Sequence, residues 1–172
     1  MVSKKKSLAS LSIKLKRIRM IVMDVDGVLT DGSIIYSSDG IESKKFNVHD
    51  GYGIFRARGK GLKFSIISGR TSKVTSLRAK RLEIADVYQG SEDKVSVFQN
   101  IKNKYNLHYE DVCFIGDDEF DLPLLRKVGF SAAPADAIEA VRKEVDYVTH
   151  TKGGRGAVRE VIDAVLRAKK LL

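Results

Sequence analysis

Four short segments of this sequence carry residue types that could do chemistry together. The first is Asp24-Val-Asp26-Gly27-Val-Leu-Thr30-Asp31-Gly32, two carboxylates two residues apart, then a glycine that lets backbone amides approach an anion. The second, Ile67-Ser68-Gly69-Arg70, supplies a hydroxyl. The third, Gly90-Ser-Glu-Asp-Lys94, supplies an amine, and the fourth, Gly116-Asp117-Asp118-Glu-Phe-Asp121, supplies three more aspartates. Carboxylates so concentrated need a cation between them. Hard oxygen ligands with no His or Cys among them favour Mg²⁺. Amides, a hydroxyl, a lysine and a metal together suit a phosphoryl group, and a carboxylate beside it can attack phosphorus to form an acyl phosphate.

These segments need a scaffold that brings them to one place, and the apolar pattern provides it. Arg19–Met23, Leu62–Ile67, Ala85–Tyr88, Val112–Ile115, Phe130–Ala132 and Tyr147–Thr149 are short apolar runs that read as buried strands. Helical stretches are expected between and after them, near 50–60, 71–82, 92–106, 119–127, 135–144 and 155–170. Strand and helix in alternation imply an α/β fold, a doubly wound, Rossmann-like parallel sheet with helices on both faces. Functional groups of such sheets gather beyond the carboxyl ends of the strands, which is where the four segments fall. One stretch breaks the rhythm: Ser33–Ser37 and Glu42–Phe46 flank the turn signal Ser38-Asp39-Gly40, predicting a β-hairpin at about 32–47.

Composition narrows the class. With 172 residues, 43% of them hydrophobic, the chain can bury a core without disulfides, and its one cysteine, Cys113, cannot form an internal one. No apolar run approaches the roughly 20 residues of a membrane span, and no apolar stretch follows the lysine-rich start as in a signal peptide, so a cytoplasmic protein is expected. The net charge of +9 raises the question of nucleic acid. Residues 1–19 hold seven basic side chains and no acid, so most of the excess lies in a leader. Leu8, Leu11, Leu15 and Ile18 make that leader (1–18) a basic amphipathic helix packed on its own domain (19–172), and neither a nucleic-acid nor a membrane partner is expected. Cys113 reads as an inert core residue, and His108 and His150 as surface residues.

The ordered set Asp-x-Asp-Gly-Val-x-Thr, Ser68, Lys94 and Gly-Asp-Asp-x-x-Asp resembles the haloacid dehalogenase superfamily of phosphatases. With the leader helix, Asp50-Gly-Tyr-Gly-Ile54, Tyr88-Gln-Gly90 and Gly153-Gly-Arg-Gly-Ala-Val-Arg-Glu160, it is similar to the branch that acts on 3-deoxy-D-manno-octulosonate 8-phosphate, over essentially the whole chain after about residue 8. The resemblance implies a hydrolase of phosphoric monoesters in lipopolysaccharide precursor synthesis, with Asp24 as nucleophile and Asp26 as the acid and base. Ser68 and Lys94 would hold the phosphoryl oxygens. Asp24, Asp26 and Asp117, with Asp118 as a further candidate, would bind Mg²⁺, and Asp121 would orient Lys94 or metal-bound water. Substrate contacts would come from Gly27, Asn47, His49, Asp50, Gly51, Gly69, Arg70, Arg78 and Lys94.

The resemblance also implies that the hairpin stands in place of a cap domain and that a homotetramer closes the site, hairpins joined into a barrel. Two residues depart from the pattern: His49 and Phe55 stand where arginine is usual, which makes a nonulosonate 9-phosphate a competing substrate. A catalytically idle assembly domain is the other alternative, and retention of all five core residues speaks against it. A receiver domain would carry its acidic pair and its accepting Asp in the opposite order, and a phosphomutase would need a cap to exclude water.

Overall fold

The computed structural model describes residues 8–172. The lysines at positions 4–6 of the expected leader lie outside that range. Helix α1 (Leu8–Arg17) leads into β1 (Met20–Met23), and the hairpin strands β2 (Ile35–Tyr36) and β3 (Glu42–Ser43) follow. The chain continues through α2 (Val48–Arg58), β4 (Lys63–Ile67), α3 (Lys73–Arg81), β5 (Asp86–Tyr88), α4 (Lys94–Lys104) and β6 (Val112–Ile115). It ends with α5 (Leu122–Leu125), β7 (Phe130–Ala133), α6 (Glu139–Glu144), β8 (Tyr147–Val148) and α7 (Ala157–Ala168). The six-stranded sheet has the order β5-β4-β1-β6-β7-β8, and every pairing in it is parallel.

The central strands are apolar throughout because both of their faces are covered. Side chains alternate along a strand, so Ile21 and Met23 enter one hydrophobic cluster while Met20 and Val22 enter the other. Strand β6 divides the same way, Cys113 and Ile115 to the first cluster, Val112 and Phe114 to the second. Buried residues of α2 and α7 fill the first cluster (Ile54, Ala57, Val158, Val161, Ile162, Val165), and those of α4 and α5 the second (Phe98, Ile101, Leu124, Leu125). Helix α1 packs on the rest of the chain: Leu11 and Leu15 lie against the first cluster, and Lys14 pairs with Asp146 at 2.8 Å.

The strand order fixes where a site can form. From β1 the chain winds outward through β4 and β5, then crosses back to β6 on the other side of β1 and winds outward the opposite way. The crevice at that reversal lies beyond the carboxyl ends of β1, β4 and β6. Met23 is level with both Ile66 and Ile115, so Asp24, Ser68 and Asp117 emerge within about a residue of one another in height.

The hairpin is shorter than expected. Its ladder pairs only Ile35 with Ser43 and Tyr36 with Glu42. A two-stranded ribbon with no third strand has little to hold its ends together, so Ser33, Ile34 and Lys44–Phe46 run outside the ladder. The helix expected at 119–127 is broken into a 3₁₀ turn (Glu119–Asp121) and the single turn α5, with Pro123 in its first turn.

Candidate active site

Asp24 is the first residue past β1, its amide still bonded to the carbonyl of Ile115. Its Oδ1 accepts from the amide of Val25 at 2.6 Å, and the chain then coils into a tight turn in which the amides of Leu29 and Thr30 both reach the carbonyl of Val25. Gly27 sits in that turn at φ +80°, facing Asp117: a Cβ there would lie 2.0 Å from Asp117 Oδ2. Two backbone segments brace the turn from behind. Gly154 donates its amide to the carbonyl of Val28, and Gly153 lies so close that a Cβ would stand 1.8 Å from the carbonyl oxygen of Gly27. Gly153 and Gly154 therefore serve as a shelf under this turn.

Lys94 opens α4, and its Nζ lies 2.6 Å from both Asp24 Oδ2 and Asp121 Oδ1, with its side chain 3% exposed. Asp121 is held in turn by the amides of Asp117 and Asp118, which donate to its Oδ2 at 2.8 and 3.3 Å. It thus aims the lysine. Asp24, Asp117 and Asp121 bring carboxylate oxygens within 4.8 Å of one another. Burial, and then the charge of Asp121, push the Asp24 carboxyl up to about 6 against the pull of Lys94. Burial, followed by repulsion from Asp121, Asp24 and Asp118, pushes Asp117 up to about 8. Asp117 Oδ1 is buried without a hydrogen-bond partner. An orphaned buried oxygen beside a second carboxylate is a site short of a cation, and an all-oxygen donor set fits a hard divalent ion such as Mg²⁺.

Asp24, Asp26, Gly27, Ser68, Gly69, Arg70, Lys94, Asp117 and Asp118 line one cavity of about 480 Å³. Ser68 is buried at its wall, its Oγ accepting from the amide of Arg70 at 3.4 Å. A larger cavity, about 690 Å³, opens near Arg58, Gly61 and Tyr105, but it holds none of the four motifs.

Other expected site residues stand elsewhere. Asp118 is at the cavity wall but outside the carboxylate cluster, because its Oδ1 caps the following turn by accepting from the amide of Glu119 at 2.6 Å. Asn47 is the N-cap of α2, accepting from the amide of His49 at 2.7 Å, and His49 is exposed. Asp50 is 1% exposed and turned away from the cavity. Its Oδ1 accepts from the amide of Arg159 at 2.7 Å, so it caps the start of α7. A Cβ on Gly51 would lie 2.6 Å from Arg78 Nη2, which donates to the carbonyl of Asn47, so the guanidinium packs directly on this glycine. This second group, Asn47 to Gly51 with Arg78, does not line the cavity within one chain.

Gly32, Ser91, Glu92 and Phe120, which lie within the four segments without an expected role, complete the cavity wall, and Lys44 is a site residue from outside them. Lys44 Nζ pairs with the carboxylate of Asp26. Alternation along an extended segment places Glu42 and Lys44 on one face, a signal the sequence did contain.

A profile of haloacid dehalogenase-like hydrolases matches residues 71–162. The chain is also 45% identical over 156 residues to the 3-deoxy-D-manno-octulosonate 8-phosphate phosphatase of Salmonella typhi, spanning 91% of this chain and 83% of that one. This chain belongs to the haloacid dehalogenase-like hydrolases. Within that family it is 44% identical over 161 residues to the Escherichia coli K12 enzyme of the same name. The crystal structure of the Yersinia pestis 3-deoxy-D-manno-octulosonate 8-phosphate phosphatase superposes with a TM-score of 0.93 at 41% identity, covering 95% of this chain and 88% of that one. The Moraxella catarrhalis phosphatase, solved in complex with a magnesium ion, a phosphate ion and a KDO molecule, also gives 0.93, at 38% identity, covering 95% and 94%.

Proposed function

We propose that this chain is a Mg²⁺-dependent phosphomonoesterase that releases phosphate from 3-deoxy-D-manno-octulosonate 8-phosphate. The observation that carries the reading is the junction of Asp24, Asp117, Asp121 and Lys94 at the sheet's reversal point, in a chain 45% identical to a phosphatase of that name. Asp24, Asp117 and the backbone carbonyl of Asp26 would hold Mg²⁺, with Asp118 further out. When bound, the ion supplies positive charge to the phosphoryl oxygens and offsets the crowding of the carboxylates.

The chain's own residues do the rest. Lys94 and Ser68 hold the phosphoryl oxygens, and Asp121 keeps Lys94 aimed. Asp24 attacks phosphorus in line, forming the Asp24 O–P bond as the P–O bond to the sugar breaks. The carboxyl proton of Asp26 passes to the departing sugar oxygen. Asp26, now a carboxylate, then takes a proton from the water that hydrolyses the aspartyl-phosphate. Gly27, Gly69 and Arg70 shape the wall against the sugar.

The cavity is open to solvent and the hairpin is too short to cover it. We infer a homotetramer in which neighbouring subunits close the site, and in which Asn47, His49 and Arg78 meet a neighbour's substrate. A cytoplasmic location follows from the same reading, and no helix among the described residues is long and apolar enough to cross a membrane.

The test is phosphate release with Mg²⁺ from octulosonate 8-phosphate, two nonulosonate 9-phosphates and neutral sugar phosphates. Preference for the octulosonate is expected, with complete loss in EDTA and recovery on adding Mg²⁺. Preference for a nonulosonate would mean that His49 and Phe55 re-aim the pocket. No release from any would leave the idle assembly domain.

A further inference from the structure

Lys44 is a hairpin residue whose side chain is only 1% exposed, while Lys45 beside it is exposed. Burying an ammonium is costly unless it is paired, and the partner here is Asp26, whose Oδ1 meets Lys44 Nζ. The second oxygen of that carboxylate has Arg70 Nη1 at 3.6 Å. Among the described residues, no backbone amide or hydroxyl donates to Asp26, whereas Asp24 has the Val25 amide and Asp121 has two amides. The orientation of the Asp26 carboxylate therefore rests on the Lys44 ammonium, with the Arg70 guanidinium close by but beyond hydrogen-bond reach. Glu42 ties those cations together: its Oε1 is 3.1 Å from Arg70 Nη2 and 3.7 Å from Lys44 Nζ, and its Oε2 accepts from Ser72. The hairpin is thereby fastened across the catalytic turn to the loop after β4.

We propose that Lys44 is a positioning residue for the reaction: it holds the Asp26 carboxyl in line with the leaving-group oxygen. The inference rests on the phosphatase reading above. Lys44 Nζ–H donates to Oδ1 whether Asp26 is a carboxylate or a carboxylic acid, so the acid carries its proton on Oδ2 and presents it in one direction, and without that hydrogen bond the side chain can rotate away. Positioning of this kind matters in proportion to how badly the leaving group needs a proton. A sugar alkoxide is a very poor leaving group without one, whereas 4-nitrophenolate departs as the anion.

The test compares kcat/KM of wild type and Lys44→Met on octulosonate 8-phosphate and on 4-nitrophenyl phosphate. This ratio covers steps only through departure of the leaving group, so later hydrolysis of the aspartyl-phosphate does not enter. For Lys44→Met, a drop of about 10²-fold is expected on the sugar phosphate against roughly threefold on the aryl phosphate. Lys44→Arg, which keeps the cation, should recover the sugar reaction to within about tenfold of wild type. Thermal melting of both variants checks the fold, and if the methionine variant does not fold, the arginine and Lys44→Gln variants carry the same comparison. Equal losses on the two substrates, or no loss on the sugar phosphate, would overturn the role of Lys44 while leaving the phosphatase reading intact. Failure of the wild-type chain to turn over either substrate would overturn the phosphatase reading and the proposal with it.

Discussion

Each functional side chain in the proposed site is held by something specific, and the consequences of removing it differ. Asp24 makes the bond to phosphorus, so Asp24→Asn is expected to lower phosphate release by about 10⁴-fold or more with the fold retained, since the amide can still accept from the Val25 amide. Full activity in that variant would refute the aspartyl-phosphate route. Gly27 is required for a different reason. At φ +80° a Cβ is strained, and here it would strike Asp117 Oδ2 at 2.0 Å. Gly27→Ala should cost about 1–3 kcal/mol in urea unfolding and also weaken Mg²⁺ binding, measured by the Mg²⁺ concentration needed for half-maximal activity. A variant as stable and as avid for Mg²⁺ as wild type would show that the turn relaxes freely.

At the scale of elements, the ends of helices carry the unexpected roles. Asp50, a candidate substrate contact in the sequence, joins the first turn of α2 to the first turn of α7. Glu160, on α7, does comparable work for the strand that precedes it, accepting from the amides of His150 and Thr151 and from the Tyr147 hydroxyl. Burial raises the Asp50 carboxyl to about 6, outweighing the amides of Arg159 and Gly156 and the charges of Arg78 and His49. Because that value lies above the unfolded one, the native state holds the extra proton. The contribution of Asp50 to stability is full below about pH 4 and is lost as pH rises through about 6. Asp50→Asn keeps an oxygen for the Arg159 amide and cannot ionise. Relative to wild type it should gain stability across that interval, by about 3 kcal/mol at most, in urea unfolding at a series of pH values. A difference that shrinks or reverses as pH rises would show that the carboxylate is the form the fold prefers.

At the scale of the whole molecule, the hairpin leaves Ile34, Ile35, Tyr36 and Ile41 about half or more exposed, apolar surface that a neighbouring subunit could cover. In the proposed tetramer these residues would be covered. Sedimentation should then give a mass four times the 19.1 kDa of the chain, and Ile35→Lys with Ile41→Lys should shift it to smaller species and reduce turnover of the sugar phosphate. A wild-type monomer with full activity would rule out closure by a neighbour.

The sequence by itself determined the sheet, its covered faces and the chemistry at its strand ends. Strand β1 is apolar at every position because both faces are buried, and Asp24 follows it at once; a pattern of that kind is local and needs no knowledge of partners. The same local logic made Ser68, Lys94 and Asp117 legible. What only the tertiary structure decided was which of several polar residues at a strand or helix end joins the carboxylate cluster. Asp118 and Asp50 look as suitable as Asp117, yet one caps its own turn and the other caps a helix more than a hundred residues away in the chain. Lys44 and Lys45 are adjacent and chemically identical, and only the fold of the hairpin over the catalytic turn sends one of them to Asp26 and the other to solvent. Residue type and spacing specify what a side chain can do; its direction depends on long-range packing that no short segment encodes.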